Sequence, residues 1–163
     1  MRIYFGILLT VTCLAVSLTG YAGERVRSEF FPQRHLALQG RWAHARLTGD
    51  VDADNRIVAG FSEVELRLFI PTAFTSPPQR VQIFLIMASQ IPGLEGGGGL
   101  EVSWITRGRL LNGKARPGDR ALIFEGVVDA SVLSDFLSAT FNIDARKMVG
   151  ALRFDPVFEI EQR

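Results

Sequence analysis

Between residues 63 and 70 the chain reads EVELRLFI, the most constraining stretch it contains. Val64, Leu66, Leu68 and Ile70 fall on one side and Glu63, Glu65 and Arg67 on the other. A period of two puts alternate side chains on opposite faces of a strand, so this segment is a half-buried antiparallel strand. RVQIFLIMAS (80–89) is apolar on both faces and reads as a central strand. LEVSWI (100–105) and RALIFEGVV (120–128) supply two more, LALQGRWAHARL (36–47) a first and GALRFDPVFEIE (150–161) a last. Pro156 cannot donate to a ladder, which places that last strand at an edge or on a bulge.

Turn residues separate these runs at GDVDADN (49–55), PTAFTSPP (71–78), IPGLEGGGG (91–99), NGKARPGD (112–119) and NIDARK (142–147). The pattern predicts an antiparallel β-sandwich or small barrel of about seven to eight strands. One segment has a different period. In DASVLSDFLSATF (129–141), Val132, Leu133, Phe136, Leu137 and Phe141 recur at helical spacing, with Ser134, Asp135 and Ser138 opposite. The reading there is one amphipathic helix near residues 130–141, capped by Asp129 or Ser131.

The N-terminus carries a targeting pattern. Met1-Arg2 precedes the apolar run IYFGILLTVTCLAVSL, and Gly20 and Ala22 give the small-residue exit of a signal peptidase site. Residues 1–22 are expected to be a secretory signal peptide, the alternative being an uncleaved membrane anchor. Residues 23–163 then form a single exported β-rich domain, periplasmic or extracellular. Export with cleavage removes Cys13, the only cysteine of the chain. It leaves no disulfide, thiolate nucleophile or cysteine metal site. Arg2 leaves too, so the remainder has 17 basic and 17 acidic residues. That balance gives no general attraction to nucleic acid.

Four glycines, Gly96, Gly97, Gly98 and Gly99, could suggest a phosphate cradle. Such a cradle needs a helix after the glycines, and a P-loop also needs a lysine and a hydroxyl. Here LEVSWI follows, so the run reads as a flexible connection and a possible binding loop. Asp50, Asp52 and Asp54 alternate in DVDADN as the first ligands of a calcium loop do. The twelfth position is Phe61 instead of the bidentate glutamate, and the flanks read as strands. The plainer reading is a solvated turn, and no other cofactor is suggested.

His35 and His44 are nine residues apart, an odd spacing that sends them to opposite faces of a strand. They make no shared metal site, and no G-x-S-x-G or S-x-x-K motif supports a serine nucleophile. Arg107, Arg109, Lys114, Arg116 and Arg120 form a local basic cluster that reads as a solvated hairpin or an anion contact.

Gly40-Arg41-Trp42 resembles the glycine-x-tryptophan of the first lipocalin strand. Lipocalins also place a helix before a last strand, as residues 129–141 and 150–161 would. The resemblance implies a barrel with an apolar cavity; Trp42 on its own reads as a core anchor.

The leading expectation is an exported, non-catalytic β-domain that binds a protein partner or joins an envelope assembly. The alternative is a lipocalin-like carrier of a small apolar ligand, and the third reading is a hydrolase without a recognisable motif. A filled interior separates the first from the second, which needs a cavity of roughly 300 Å3 or more.

Overall fold

A computed structural model describes residues 23–31, 40–44, 49–50 and 54–163. The strands are β1 (Glu24–Phe31), β2 (Arg41–Trp42), β3 (Arg56–Phe69), β4 (Gln79–Ile86), β5 (Leu100–Thr106), β6 (Gly113–Ala115), β7 (Arg120–Val128), β8 (Val132–Asp144) and β9 (Val157–Gln162). A four-residue helix α1 (Thr72–Thr75) and one 3-10 turn (Ala145–Lys147) interrupt the strands. The strands form one antiparallel sheet in the order β6-β5-β8-β3-β1-β9-β4-β7, with β2 on β3. This sheet curls until its two end strands approach. The turn between them, and Leu111 N–H donating to Ile123 C=O at 2.7 Å, bring it close to a closed barrel.

The alternation of β3 is what turns one face inward. Ile57, Ala59 and Phe61 point in from odd positions, and Val64, Leu66 and Leu68 from even ones. The parity changes at a bulge between Phe61 and Val64, where Glu63 takes φ 56°. One extra residue re-aims the rest of the strand, the usual consequence of a bulge. Val81, Ile83 and Leu85 of β4 and Phe158 and Ile160 of β9 complete the inner layer on the far side.

Outside, charged side chains pair along the strands. Arg67 forks onto Glu65 at 2.9 and 2.8 Å, and its guanidinium lies over Phe31. Arg120 pairs with Glu161 at 2.6 Å and lies 3.4 Å over the Phe84 ring. Phe84 and Ile86, read as buried members of a two-sided central strand, are therefore half-buried on the outer face.

The expected helix near residues 130–141 is overturned: β8 runs straight through it. Leu133, Leu137 and Phe141 are four apart, a spacing that satisfies a helix face and a strand face alike. The signal that misled is Asp135, a carboxylate on the inner face, with Val132 and Phe136 exposed on the outer one. Pairing with β3 and β5 on both sides decides in favour of the strand.

Three smaller expectations also change. β9 lies between β1 and β4, not at an edge, because Pro156 precedes the ladder instead of interrupting it. Trp42 is 57% exposed and is no core anchor. The first strand is β1, whose inner face is carried by Val26 and Phe30; of the expected strand over residues 36–47 the described part is β2.

Candidate functional site

Closing the sheet leaves an interior that the inward side chains do not fill. A cavity of about 1170 Å3 runs inside the barrel. Its walls come from β3 (Ile57, Ala59, Phe61), β5 (Val102, Trp104, Thr106), β8 (Leu137, Ala139, Phe141, Ile143), β4 (Leu85), β7 (Ile123) and β9 (Phe158). Eight-stranded barrels have room either for packed side chains or for one small ligand, depending on side-chain size. Here the register sets small against large: Ala59 opposes Phe141, and Ala139 opposes Phe61. The two alanines, buried on adjacent strands, keep the space open.

One end is closed. After β5 the chain folds back through residues 107–112 and drops Leu110, 5% exposed, into the barrel. Thr106 Oγ1 donates to Leu110 C=O at 2.6 Å, and Asn112 Oδ1 accepts from Thr106 N–H at 2.7 Å. Trp104 Nε1 donates to Leu111 C=O at 2.9 Å. Asp135 holds the same turn from below, its Oδ2 accepting from Leu110 N–H at 2.9 Å. Arg109 reaches across the seam to Val127 C=O at 3.0 Å. The polar groups of the deep end are thus spent on the turn itself. Among the described residues, no buried side-chain nitrogen or oxygen lacks a partner.

The other end is a mouth. Residues 148–156 cross it as an irregular segment, and Met148, Ala151, Arg153 and Asp155 are exposed while lining the cavity. The loop after β4 anchors this segment. Val149 N–H donates to Gly93 C=O and Arg153 N–H to Pro92 C=O, both at 3.0 Å. Gly93, at φ 96°, allows the approach: a Cβ there would lie 2.4 Å from Ala151 O. Phe154 packs edge-on to Phe141 with ring centroids 5.5 Å apart, so an aromatic pair borders the opening.

No known family model, curated protein or solved structure matches this chain.

The residues singled out in the sequence lie around this site or away from it. Gly96 to Gly99 follow the anchored part of the β4–β5 loop and lead into strand β5. None of the four is on the cavity lining. The run is held at its ends: Glu95 N–H, just before it, donates to Lys147 C=O at 2.7 Å, and Asp144 N–H donates to Gly99 C=O at 2.8 Å. Asp54 Oδ2 accepts from Gly49 N–H at 3.0 Å, and Asp54 N–H donates to Asp50 C=O at 2.8 Å. Asp52 lies outside the described residues. Among the described residues no three His, Cys, Asp or Glu side chains converge.

His44 is exposed beyond β2, and His35 lies outside the described residues. The basic cluster is spread over separate pairs: Arg107 with Glu63, Arg116 with Glu101 at 2.7 Å, and Arg120 with Glu161. It therefore presents no single anion site. Gly40 of the Gly-Arg-Trp triplet lines the cavity, where a Cβ would sit 2.7 Å from Ile57 Cγ2. The barrel and its apolar interior agree with what the lipocalin resemblance implied; the helix does not.

Sequence reasoning missed the cavity wall itself. Its signal was available in Ala59 and Ala139, small residues at inward positions of long strands. It cannot be weighed without knowing that these strands are neighbours.

Proposed function

We propose that the protein is a carrier of a small apolar ligand held inside the barrel. The observation that carries this reading is the cavity of about 1170 Å3, lined by aliphatic and aromatic side chains and open at the 148–156 end. Ligand sites for drug-sized molecules span about 300–1,000 Å3 and are mostly apolar with a few polar groups. This interior is somewhat larger than that range, which suits a lipid-sized guest.

Catalysis has little support: among the described residues no nucleophile with a neighbouring base faces the cavity, and the deep polar groups are engaged by backbone partners. On the outer face the exposed apolar side chains Phe31, Ile105, Val127 and Phe136 are interspersed with Glu65, Arg67, Glu125, Glu159 and Glu161, a mixture that favours a water-facing carrier over a continuous membrane-spanning apolar band. Residues 1–22 are read as an export signal, which would place this carrier in the periplasm or outside the cell.

A neutral apolar dye such as N-phenyl-1-naphthylamine should bind at one site per chain with a blue-shifted emission. Ala139→Phe, which fills the cavity between β3 and β5, should abolish that binding while the variant stays folded. Dye binding that is unaltered in a folded Ala139→Phe variant would place the dye elsewhere and remove the support for a carrier.

A further inference from the structure

The lining has an asymmetric distribution of polarity. Along β5 it runs from the closed end at Thr106 and Leu110 to the side bordered by residues 148–156. Everything deep is apolar or already hydrogen-bonded: Trp104 Nε1 and Thr106 Oγ1 both donate to backbone carbonyls of the closing turn. An anionic group carried to that depth would find no free donor among the described residues and would face the buried Asp135 carboxylate, so its burial there is prohibitive. The two charged residues of the lining, Arg153 and Asp155, both lie at the mouth and are exposed there.

Most arginines on the outer face of this barrel are matched by carboxylates, whereas Arg153 forms no ion pair with any described residue. Its main chain is fixed at the rim by the bond to Pro92 C=O, and its guanidinium pairs with no carboxylate among the described residues. Asp155 is the competing charge. Its carboxylate stands on a single methylene, whereas the arginine stem can turn over the opening and present a planar fork of N–H donors to an oxyanion. Arg41, next to the lining residue Gly40, is a second cation with no ion pair among the described residues.

We infer that the cavity takes a single-chain amphiphile tail first, with an anionic headgroup, carboxylate or phosphate, held at the mouth by Arg153. This rests on the carrier reading and names its ligand class. The tail fills the apolar barrel towards Leu110, and the head stays in contact with water, so no charge is desolvated.

The test displaces bound N-phenyl-1-naphthylamine from the full chain with four guests of one chain length: hexadecanoate, hexadecyl phosphate, hexadecanol and hexadecylammonium. At low salt the two anions should bind about tenfold more tightly than hexadecylammonium, and the gap should narrow in salt of about 0.5 M, because a rim charge is screened. Arg153→Gln should weaken both anions about fivefold, the size of an exposed ionic contact, and leave hexadecanol unchanged. Asp155→Asn should not weaken either anion. Equal or tighter binding of hexadecylammonium, or an Arg153→Gln effect on hexadecanol as large as on the anions, would overturn the inference while leaving the carrier intact. Failure of all four guests to displace the dye would overturn both.

Discussion

The carboxylate of Asp135, 5% exposed, accepts the backbone N–H of Leu110 at 2.9 Å. A charged residue on the inner face of β8 thus holds the turn that closes the barrel. Gly108 makes room for it, since a Cβ at that position would sit 2.9 Å from Asp135 Oδ1. The group that looks like an error in an apolar strand is the fastening of the deep end of the cavity.

Asp135→Asn keeps an acceptor oxygen of the same shape and should cost little. Asp135→Leu removes the acceptor and leaves Leu110 N–H buried without a partner, which should cost about 1–3 kcal/mol. Urea denaturation of the two variants checks this. Equal midpoints for both would mean that the turn is held by its other bonds alone.

The same residue shows how far the sequence could be read. β3, β4, β5 and β7 were legible because their apolar residues alternate or run continuously between turn residues, a signal that needs no knowledge of the neighbours. β8 was not, because Asp135 and the exposed Phe136 invert the alternation. Their reason lies in the turn after β5, 25 residues earlier in the chain. β1 was missed because only Val26 and Phe30 mark its inner face. The cavity was illegible for a further reason. An inward alanine reads the same whether a partner strand fills the space above it or not, and only the register of β3 on β8 sets Ala59 and Ala139 beside one another's phenylalanines.

The glycine run should divide into tolerant and intolerant positions. Gly98 has open space around it, so Gly98→Ala should change stability by less than about 0.5 kcal/mol. Gly99 sits at φ 91°, and a Cβ there would meet the Lys147 side chain at 2.9 Å. Gly99→Ala should therefore cost more than about 1 kcal/mol, since alanine is strained where φ is positive. Thermal melts of the pair would show it, and indistinguishable melting temperatures would mean that the loop relaxes freely at both positions.

Acid should weaken the protein through carboxylates forked by arginine. Hydrogen bonds from Arg67 hold the Glu65 carboxyl below its ordinary range, and those from Arg146 do the same for Asp144. A carboxyl with a lowered folded value contributes stability that is complete at neutral pH. That contribution is lost as pH falls below about 4, where the unfolded groups titrate, and continues to be lost through the folded values. Glu65→Gln and Asp144→Asn should each flatten the acid limb of a stability-against-pH curve without changing its neutral plateau much, because both pairs are exposed to solvent screening. An acid limb unchanged in both variants would assign acid sensitivity to other groups.

The most direct test of the carrier is quenching of Trp104. Its indole is on the cavity wall and 6% exposed, whereas Trp42, the other tryptophan, is 57% exposed and off the lining. In a Trp42→Phe variant, a fatty acid brominated along its chain should quench the remaining emission in a saturable titration with one site per chain. The unbrominated acid should compete the quenching away. Quenching that rises linearly without saturation, or that persists unchanged when the cavity is filled by Ala139→Phe, would contradict an apolar ligand inside this barrel.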